Sequence, residues 1–335
     1  MKNLLYLGNK VAAHGLNKTT IETLGPLLEQ EGYVLTYAST QKKPFFRLLQ
    51  MLWVVYRNRK AEGVLIDTYS TTAFWYAFFT SQLCRVCKLP YIPILHGGNL
   101  PSRIRQNPRL SQWIFKNAYT NVTPSAYLKK ELEAVGYTNI VLIPNAIELS
   151  KYPFTKRATI RPQLLWVRAF AAIYNPTMAI DVFRQIKARY PEATLCMVGP
   201  DKDGSLATTR RYAQRLNLDV TFTGALAKSE WMALSTQYDL FLNTTHFDNT
   251  PVSVMEAMAL GLPVVSTNVG GIPYLLTDKQ NALLVNDNDT QEMVAKIDCL
   301  LQHPEVVTML TTNARQKAEQ LDWEVVKTQW MALLD

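Results

Sequence analysis

The stretch Phe247-Asp248-Asn249-Thr250-Pro251-Val252-Ser253-Val254-Met255-Glu256-Ala257-Met258-Ala259-Leu260-Gly261-Leu262-Pro263-Val264-Val265 decides how this chain is read. It follows Asp239-Leu240-Phe241-Leu242-Asn243, an apolar run with the pattern of a buried strand. Thr250 and Pro251 spell a helix start: a hydroxyl N-cap, then a proline at the first helical position, where its missing N–H costs nothing. Gly261 and Pro263 close that helix and lead into another strand. The order is strand, acidic loop, helix N-terminus, strand. The turn Asn249-Thr250-Pro251-Val252 is therefore a candidate phosphate cradle, because a helix start offers N–H donors and partial positive charge. Asp248 precedes the helix, and Glu256 lies eight positions on, inside it. Carboxylates repel phosphate but accept hydrogen bonds from hydroxyls, so the pair suits a sugar nucleotide. An ordinary strand–helix unit with a surface aspartate and a half-buried glutamate accounts for the spacing equally well.

The same alternation runs in both directions from this stretch. In the first half, Asn3 to Gly8, Tyr33 to Ser39, Gly63 to Asp67 and Tyr91 to Leu95 read as short apolar strands, followed by Thr120 to Thr123 and Asn139 to Pro144. A polar stretch from Asn145 to Pro162 carries neither period and reads as a linker. Strands then resume at Gln163 to Arg168, Ala193 to Val198, Val220 to Thr223 and Asp239 to Asn243, with Pro263 to Ser266 and Ala282 to Val285 after them. Near-continuous apolar strands between helices imply doubly wound parallel sheets, whose ligands sit at the carboxyl ends of strands. The expected division is 1–155, 156–320 and a terminal amphipathic helix over 321–335.

Composition narrows the class. A chain of 335 residues with 48% apolar and 19% charged content is globular, and its length suits two domains. The formal charge of +8 favours anionic partners, yet no nucleic-acid-binding motif is present, so nucleic acid is not expected. Cys84 and Cys87 form a lone C-x-x-C inside an apolar helical pattern, better explained by packing than by zinc or redox chemistry. The start Met1-Lys2-Asn3-Leu4-Leu5-Tyr6 reads as a first strand rather than a leader, and no apolar run is long enough to span a bilayer. A cytoplasmic protein is expected. The segment 42–60 is apolar with basic ends and reads either as a helix packed on the sheet or as a contact with an anionic membrane surface.

Together with Ser266-Thr267-Asn268-Val269-Gly270-Gly271-Ile272-Pro273, the opening stretch resembles the donor-site signature of glycosyltransferase family 4. Those are retaining enzymes of the GT-B fold with an E-x7-E motif, in which Asp248 here takes the place of the first glutamate and Glu256 is the second. The resemblance implies two Rossmann-like domains facing across a cleft, the acceptor on the first and a nucleotide-diphosphate sugar, UDP- or GDP-linked, on the second. It implies no cofactor and no metal ion. The acceptor would be a glycan, a small molecule or a lipid-linked glycan, the last fitting a peripheral place on the inner face of a membrane.

The resemblance also assigns roles. Asp248 would hold the sugar and Glu256 the ribose, with Gly270 and Gly271 beside the diphosphate. His96, in Leu95-His96-Gly97-Gly98-Asn99, matches a family histidine next to the donor sugar, although a lone histidine is more often structural. Lys10 and Gly15 fall in the loop after the first strand, which approaches the diphosphate in the family. Gly199 matches a position lining the nucleobase pocket, and Asn99, Arg103 and Arg105 are candidates for an anionic acceptor. Arg168 ends a strand and matches a diphosphate-binding arginine. The family's lysine about five residues later is missing; Ile173-Tyr174-Asn175 stands there, leaving Lys10 or Lys228 to compensate. Two D-x-D triplets, Asp201 to Asp203 and Asp287 to Asp289, read as turn and cap residues. The alternatives are a nucleotide-sugar or glycan-binding protein without turnover, and a non-hydrolysing sugar-nucleotide epimerase.

Overall fold

The computed structural model describes residues 2–10, 19–38, 41, 43–157 and 159–335. Two compact units emerge, Met1–Pro144 with Val326–Asp335, and Asn145–Val325. In the first unit the strands are β1 (Asn3–Leu7), β2 (Val34–Ala38), β3 (Gly63–Thr68), β4 (Tyr91–Leu95), β5 (Asn121–Thr123) and β6 (Ile140–Leu142), laid out as β2-β1-β3-β4-β5-β6. In the second they are β7 (Gln163–Val167), β8 (Thr194–Val198), β9 (Thr221–Gly224), β10 (Leu240–Asn243), β11 (Val264–Thr267) and β12 (Leu283–Val285), in the order β12-β11-β10-β7-β8-β9. Every pairing in these sheets is parallel. Central strands such as β3, β4 and β10 are buried along their whole length, which is why they read as unbroken apolar runs.

Both sheets reverse direction partway across. In the second sheet β8 and β9 lie on one side of β7 and β10 to β12 on the other, so the switch falls between β7 and β10. In the first it falls between β1 and β3. Loops leaving neighbouring strands diverge at a switch point and open a crevice at the carboxyl ends. Arg168 follows β7 directly, and Asp248 lies five residues beyond β10. The topology alone therefore brings these two residues to one crevice.

The helix after β10 corrects the expected start. It runs Val252–Ala259, with Pro251 at the N-cap in extended conformation and Thr250 outside the helix, providing no side-chain cap. The Pro251 carbonyl accepts from the Val254 amide at 3.1 Å, a role that needs no proline N–H. After β4 the chain forms two short helices, Leu100–Gln106, which carries Arg103 and Arg105, and Pro108–Phe115, which carries Arg109. The last helix, Trp323–Leu334, starts in the second unit and ends in the first. There Lys2 Nζ donates to the Leu334 carbonyl at 2.8 Å, and the Tyr33 hydroxyl donates to Asp335 at 2.8 Å.

Candidate active site

The second unit gathers most of the expected residues around its switch point. The Arg168 guanidinium pairs with the Asp248 carboxylate and lies over the Tyr174 ring at 4.3 Å. Its Nε is buried with no hydrogen-bond partner. The other Asp248 oxygen accepts from the Asn249 amide at 2.8 Å, which fixes the turn leading to the helix. The loop after β11 closes over that turn. The Gly271 amide donates to the Asp248 carbonyl at 2.8 Å, and a Cβ at Gly271 would collide with the Asn249 carbonyl. Gly199 is bound by the same logic: its φ is 151° and a Cβ there would strike the Arg168 carbonyl. Both glycines are required because backbone meets backbone at the crevice.

Glu256 is only 4% exposed. Its Oε1 accepts from the Tyr152 hydroxyl at 2.7 Å and pairs with Lys228 Nζ at 2.8 Å. Burial, then the Glu256 carboxylate, pushes the Tyr152 hydroxyl far above the ordinary phenol range, so it remains a donor. Each carboxylate thus has its own cation, Arg168 on Asp248 and Lys228 on Glu256. At the helix start the Ser253 hydroxyl is buried with no partner. Two unsatisfied buried groups at one crevice, Ser253 Oγ and Arg168 Nε, are costly in isolation, and such groups call for an explanation in the chemistry of the site. Hydrogen-bond donors are what phosphate oxygens need.

In the first unit His96 follows β4 and is 7% exposed. Its Nε2 lies 3.1 Å from Asp67 Oδ1, at the end of β3, and the Tyr6 hydroxyl donates to the same oxygen at 3.1 Å. The Tyr69 ring lies 4.9 Å from the imidazole. Burial, then the Asp67 carboxylate, raises the Tyr6 hydroxyl well above its usual range, keeping it a donor to Asp67. The second Asp67 oxygen is buried with no partner. His96 is held by a strand-end carboxylate across the sheet, not loose on a loop. Lys10 lies over the Tyr37 ring at 4.4 Å, and Gly15 falls outside the described residues. Asn99 stands at the N-cap position of the helix Leu100–Gln106 without a side-chain cap hydrogen bond. Arg103 stacks 4.8 Å from the Phe74 ring, and Arg105 pairs with Glu131 at 2.9 Å.

Four participants escaped the sequence reading as site residues: Asp67, Tyr152, Tyr174 and Ser253. Tyr152 sits in the polar stretch taken as linker, and only its burial at 1% marks it. The D-x-D residues are engaged locally. Asp201 and Asp203 accept amides at the start of the helix Ser205–Arg215, Asp289 caps the helix Thr290–Gln302, and Asp287 meets His246. Among the described residues no cluster suits a metal ion. Burial pushes the Cys84 thiol up to about 12, which suits a packed thiol and not a redox or ligand thiolate.

Residues 153–317 match the family model of the glycosyl transferases group 1. Glycogen synthase of Mycobacterium tuberculosis is 24% identical over 240 residues, 70% of this chain and 58% of that protein. The chain thus matches little more than half the length of that relative. Sucrose-phosphate synthase from Thermosynechococcus elongatus superposes with a TM-score of 0.82 at 17% identity, covering 99% of this chain and 98% of that one. HepE from Anabaena, solved in complex with UDP and glucose, gives 0.79 at 16% identity, over 100% and 99% of the two chains. At these identities the superpositions establish the fold, which is GT-B with two Rossmann-like units. The segment that matches the glycosyl transferases group 1 model is the one that holds Arg168, Asp248 and Glu256.

Proposed function

We propose that the chain transfers a sugar from a nucleoside-diphosphate sugar to a hydroxyl acceptor, with retention at the anomeric carbon, in the manner of glycosyltransferase family 4. The observation that carries this reading is the pairing at one crevice of Arg168 with Asp248, beside a helix start with an unsatisfied Ser253 hydroxyl. The barrier is rupture of the sugar–phosphate bond, so the site must stabilise a departing diphosphate. Arg168, the amides opening the helix and the Ser253 hydroxyl supply donors fixed before the reaction begins, which is the arrangement that stabilises developing charge most effectively. Asp248 would exchange its arginine for sugar hydroxyls. Glu256 would take the ribose hydroxyls while Lys228 turns to phosphate, filling the place of the missing lysine. HepE, solved with UDP and glucose, supports a uridine-linked donor. A transferase confined to the inner side of a membrane, acting on a lipid-linked glycan, fits the chain's positive charge.

One observation favours a second reading. Tyr174 lies under Arg168 in the segment where the family has its lysine, as in a protein that binds the donor without turnover. The deciding experiment is a thermal-shift screen with UDP-, GDP- and ADP-glucose, followed by release of the free nucleotide with added acceptors. A ligand at a hundredfold over its Kd adds about 2.7 kcal/mol of stability. A rise in Tm with one nucleotide sugar, followed by acceptor-dependent release, is expected. A rise without release leaves the binding reading, and no rise with any of the three removes both.

His96→Ala tests the first unit's part. With Asp67 fixing one ring nitrogen, the imidazole is positioned for a substrate hydroxyl, and losing a positioning group costs on the order of tenfold to a hundredfold in kcat. The expected result is that drop with the donor-induced rise in Tm retained. Asp67→Asn, which preserves shape, should give a smaller drop in the same direction. An unchanged kcat in His96→Ala takes the histidine out of the reaction.

A further inference from the structure

We propose that the outer face of the first unit's helical layer, centred on the helix Pro44–Arg57, docks on an anionic lipid surface. That helix buries Met51, Val54 and Val55 against its sheet. Its opposite side carries Phe45, Leu49 and Trp53 four residues apart, exposed by 66%, 45% and 58%, with Phe46 and Tyr56 beside them. A soluble helix normally shows water its polar face; this one has apolar stripes on both sides. Right-handed crossovers put the helices Ala73–Val86 and Pro108–Phe115 on the same face of the sheet, and each packs on its neighbour in turn. They continue the pattern with exposed Phe79, Val86 and Trp113. Isolated surface apolar residues need no explanation, but a contiguous set marks an interaction face.

Charge selects the partner. Residues 32–130 hold fourteen lysines and arginines against two acids, Glu62 and Asp67, and Asp67 is buried. The whole chain is +8, so this segment of net +12 sits on a remainder of net −4. Arg57 lies 5.2 Å from the Trp53 ring and Arg59 lies 5.3 Å from the Tyr56 ring. Cations held beside exposed aromatics suit the boundary between anionic headgroups and acyl chains, where rings and basic side chains both gain. A second copy of this chain would press like charges together. Nucleic acid would meet the charge but not Leu49 or Val86, which offer no stacking surface. Arg47 at the helix start also donates to Asn9 Oδ1 at 2.9 Å, just beyond β1. The docking helix therefore begins at the same carboxyl end of the sheet as His96, where a lipid-linked acceptor would be needed. That last link rests on the transferase reading; docking itself does not.

The test is co-sedimentation of the full chain with phosphatidylcholine vesicles, with or without about a third phosphatidylglycerol, at low and high salt. Binding to the anionic vesicles at least about tenfold tighter than to the neutral ones, and weakened by salt, is expected. The pair Arg57→Glu with Arg59→Glu should weaken it about tenfold or more, since each basic residue near such a surface contributes about 1 kcal/mol. Trp53→Ser should weaken it with the charge kept. Both variants change exposed side chains, and an unaltered rise in Tm with nucleotide sugar shows that they fold and that the donor site is a separate matter. Equal binding to both vesicle types, or to neither, overturns the proposal. So does a dimer or a nucleic-acid complex that Trp53→Ser abolishes while vesicle binding is nil.

Discussion

Glu256→Ala is expected to lower kcat/KM for sugar transfer by a factor on the order of a hundred to ten thousand. The estimate comes from two hydrogen bonds between ribose hydroxyls and a carboxylate, at about 1.5–3 kcal/mol each. Stability is the competing explanation, and magnitudes separate the two. Glu256 is 4% exposed, and its removal leaves the Tyr152 hydroxyl buried without its acceptor. That costs about 1–3 kcal/mol, a fraction of the ~5–15 kcal/mol that holds a typical domain together. Lys228, whose side chain is half exposed, returns to water at little cost. The variant therefore stays folded while losing turnover. Glu256→Gln sharpens the point, because an amide oxygen can still accept from Tyr152 and only the charge is lost. A melting curve near the parent's, combined with a loss of a hundredfold or more in nucleotide release, is the expected pair of results. Turnover within threefold of the parent in both folded variants would sink the assignment of Glu256 to the donor.

The fold was legible in the sequence wherever burial writes an unambiguous pattern. The strands that build the two sheets coincide with the stretches read as strands, within one or two residues at their ends, including the short, largely polar β5 and β9. Tyr91–Leu95 and Gly63–Thr68 are buried on both faces, and nothing but a parallel sheet core asks for such runs. The helix at 252 was legible in existence but not in its first residue. Thr250-Pro251 satisfies the local rule for a cap, yet the Gly270-Gly271 loop closes on Asp248 and Asn249 and sets where the chain can turn. That constraint comes from residues some twenty positions away, and no local propensity carries it. The site divides along the same line. Asp248, Glu256 and Arg168 stand at strand ends or inside a motif, where position along the chain implies position in space. Asp67, Tyr152, Tyr174 and Ser253 act through neighbours brought close by folding, and nothing in their flanking residues announces it. The two short helices after β4 were hidden for another reason. Each begins with proline within its first two positions, and seven or eight residues are too few for a period to show.

Arg168→Ala should remove about two to three orders of magnitude from kcat, the usual consequence of losing a preorganised donor at a site of developing charge. Arg168→Lys should recover only part, because an ammonium lacks the planar fork and cannot replace its stacking on Tyr174. The rival account is that Arg168 merely neutralises Asp248, and that its loss acts through a stranded carboxylate. A double-mutant cycle distinguishes them. If neutralisation is the whole role, Asp248→Asn should make Arg168→Ala nearly silent, since no charge is left to offset. If Arg168 holds the diphosphate, the arginine's loss should still cost on the order of tenfold or more in the Asp248→Asn background. The buried, unsatisfied Nε speaks for the second outcome, because a residue serving only Asp248 has no use for a further donor turned away from solvent. Lys228→Ala supplies the counterpart. As the replacement for the lysine missing near Tyr174, Lys228 should affect donor affinity, and its loss should add to that of Arg168 if both cations meet the same diphosphate. A silent Lys228→Ala, beside a damaging Arg168→Ala, would leave the arginine and the helix start as the site's only hold on the leaving group and would confine Lys228 to balancing Glu256.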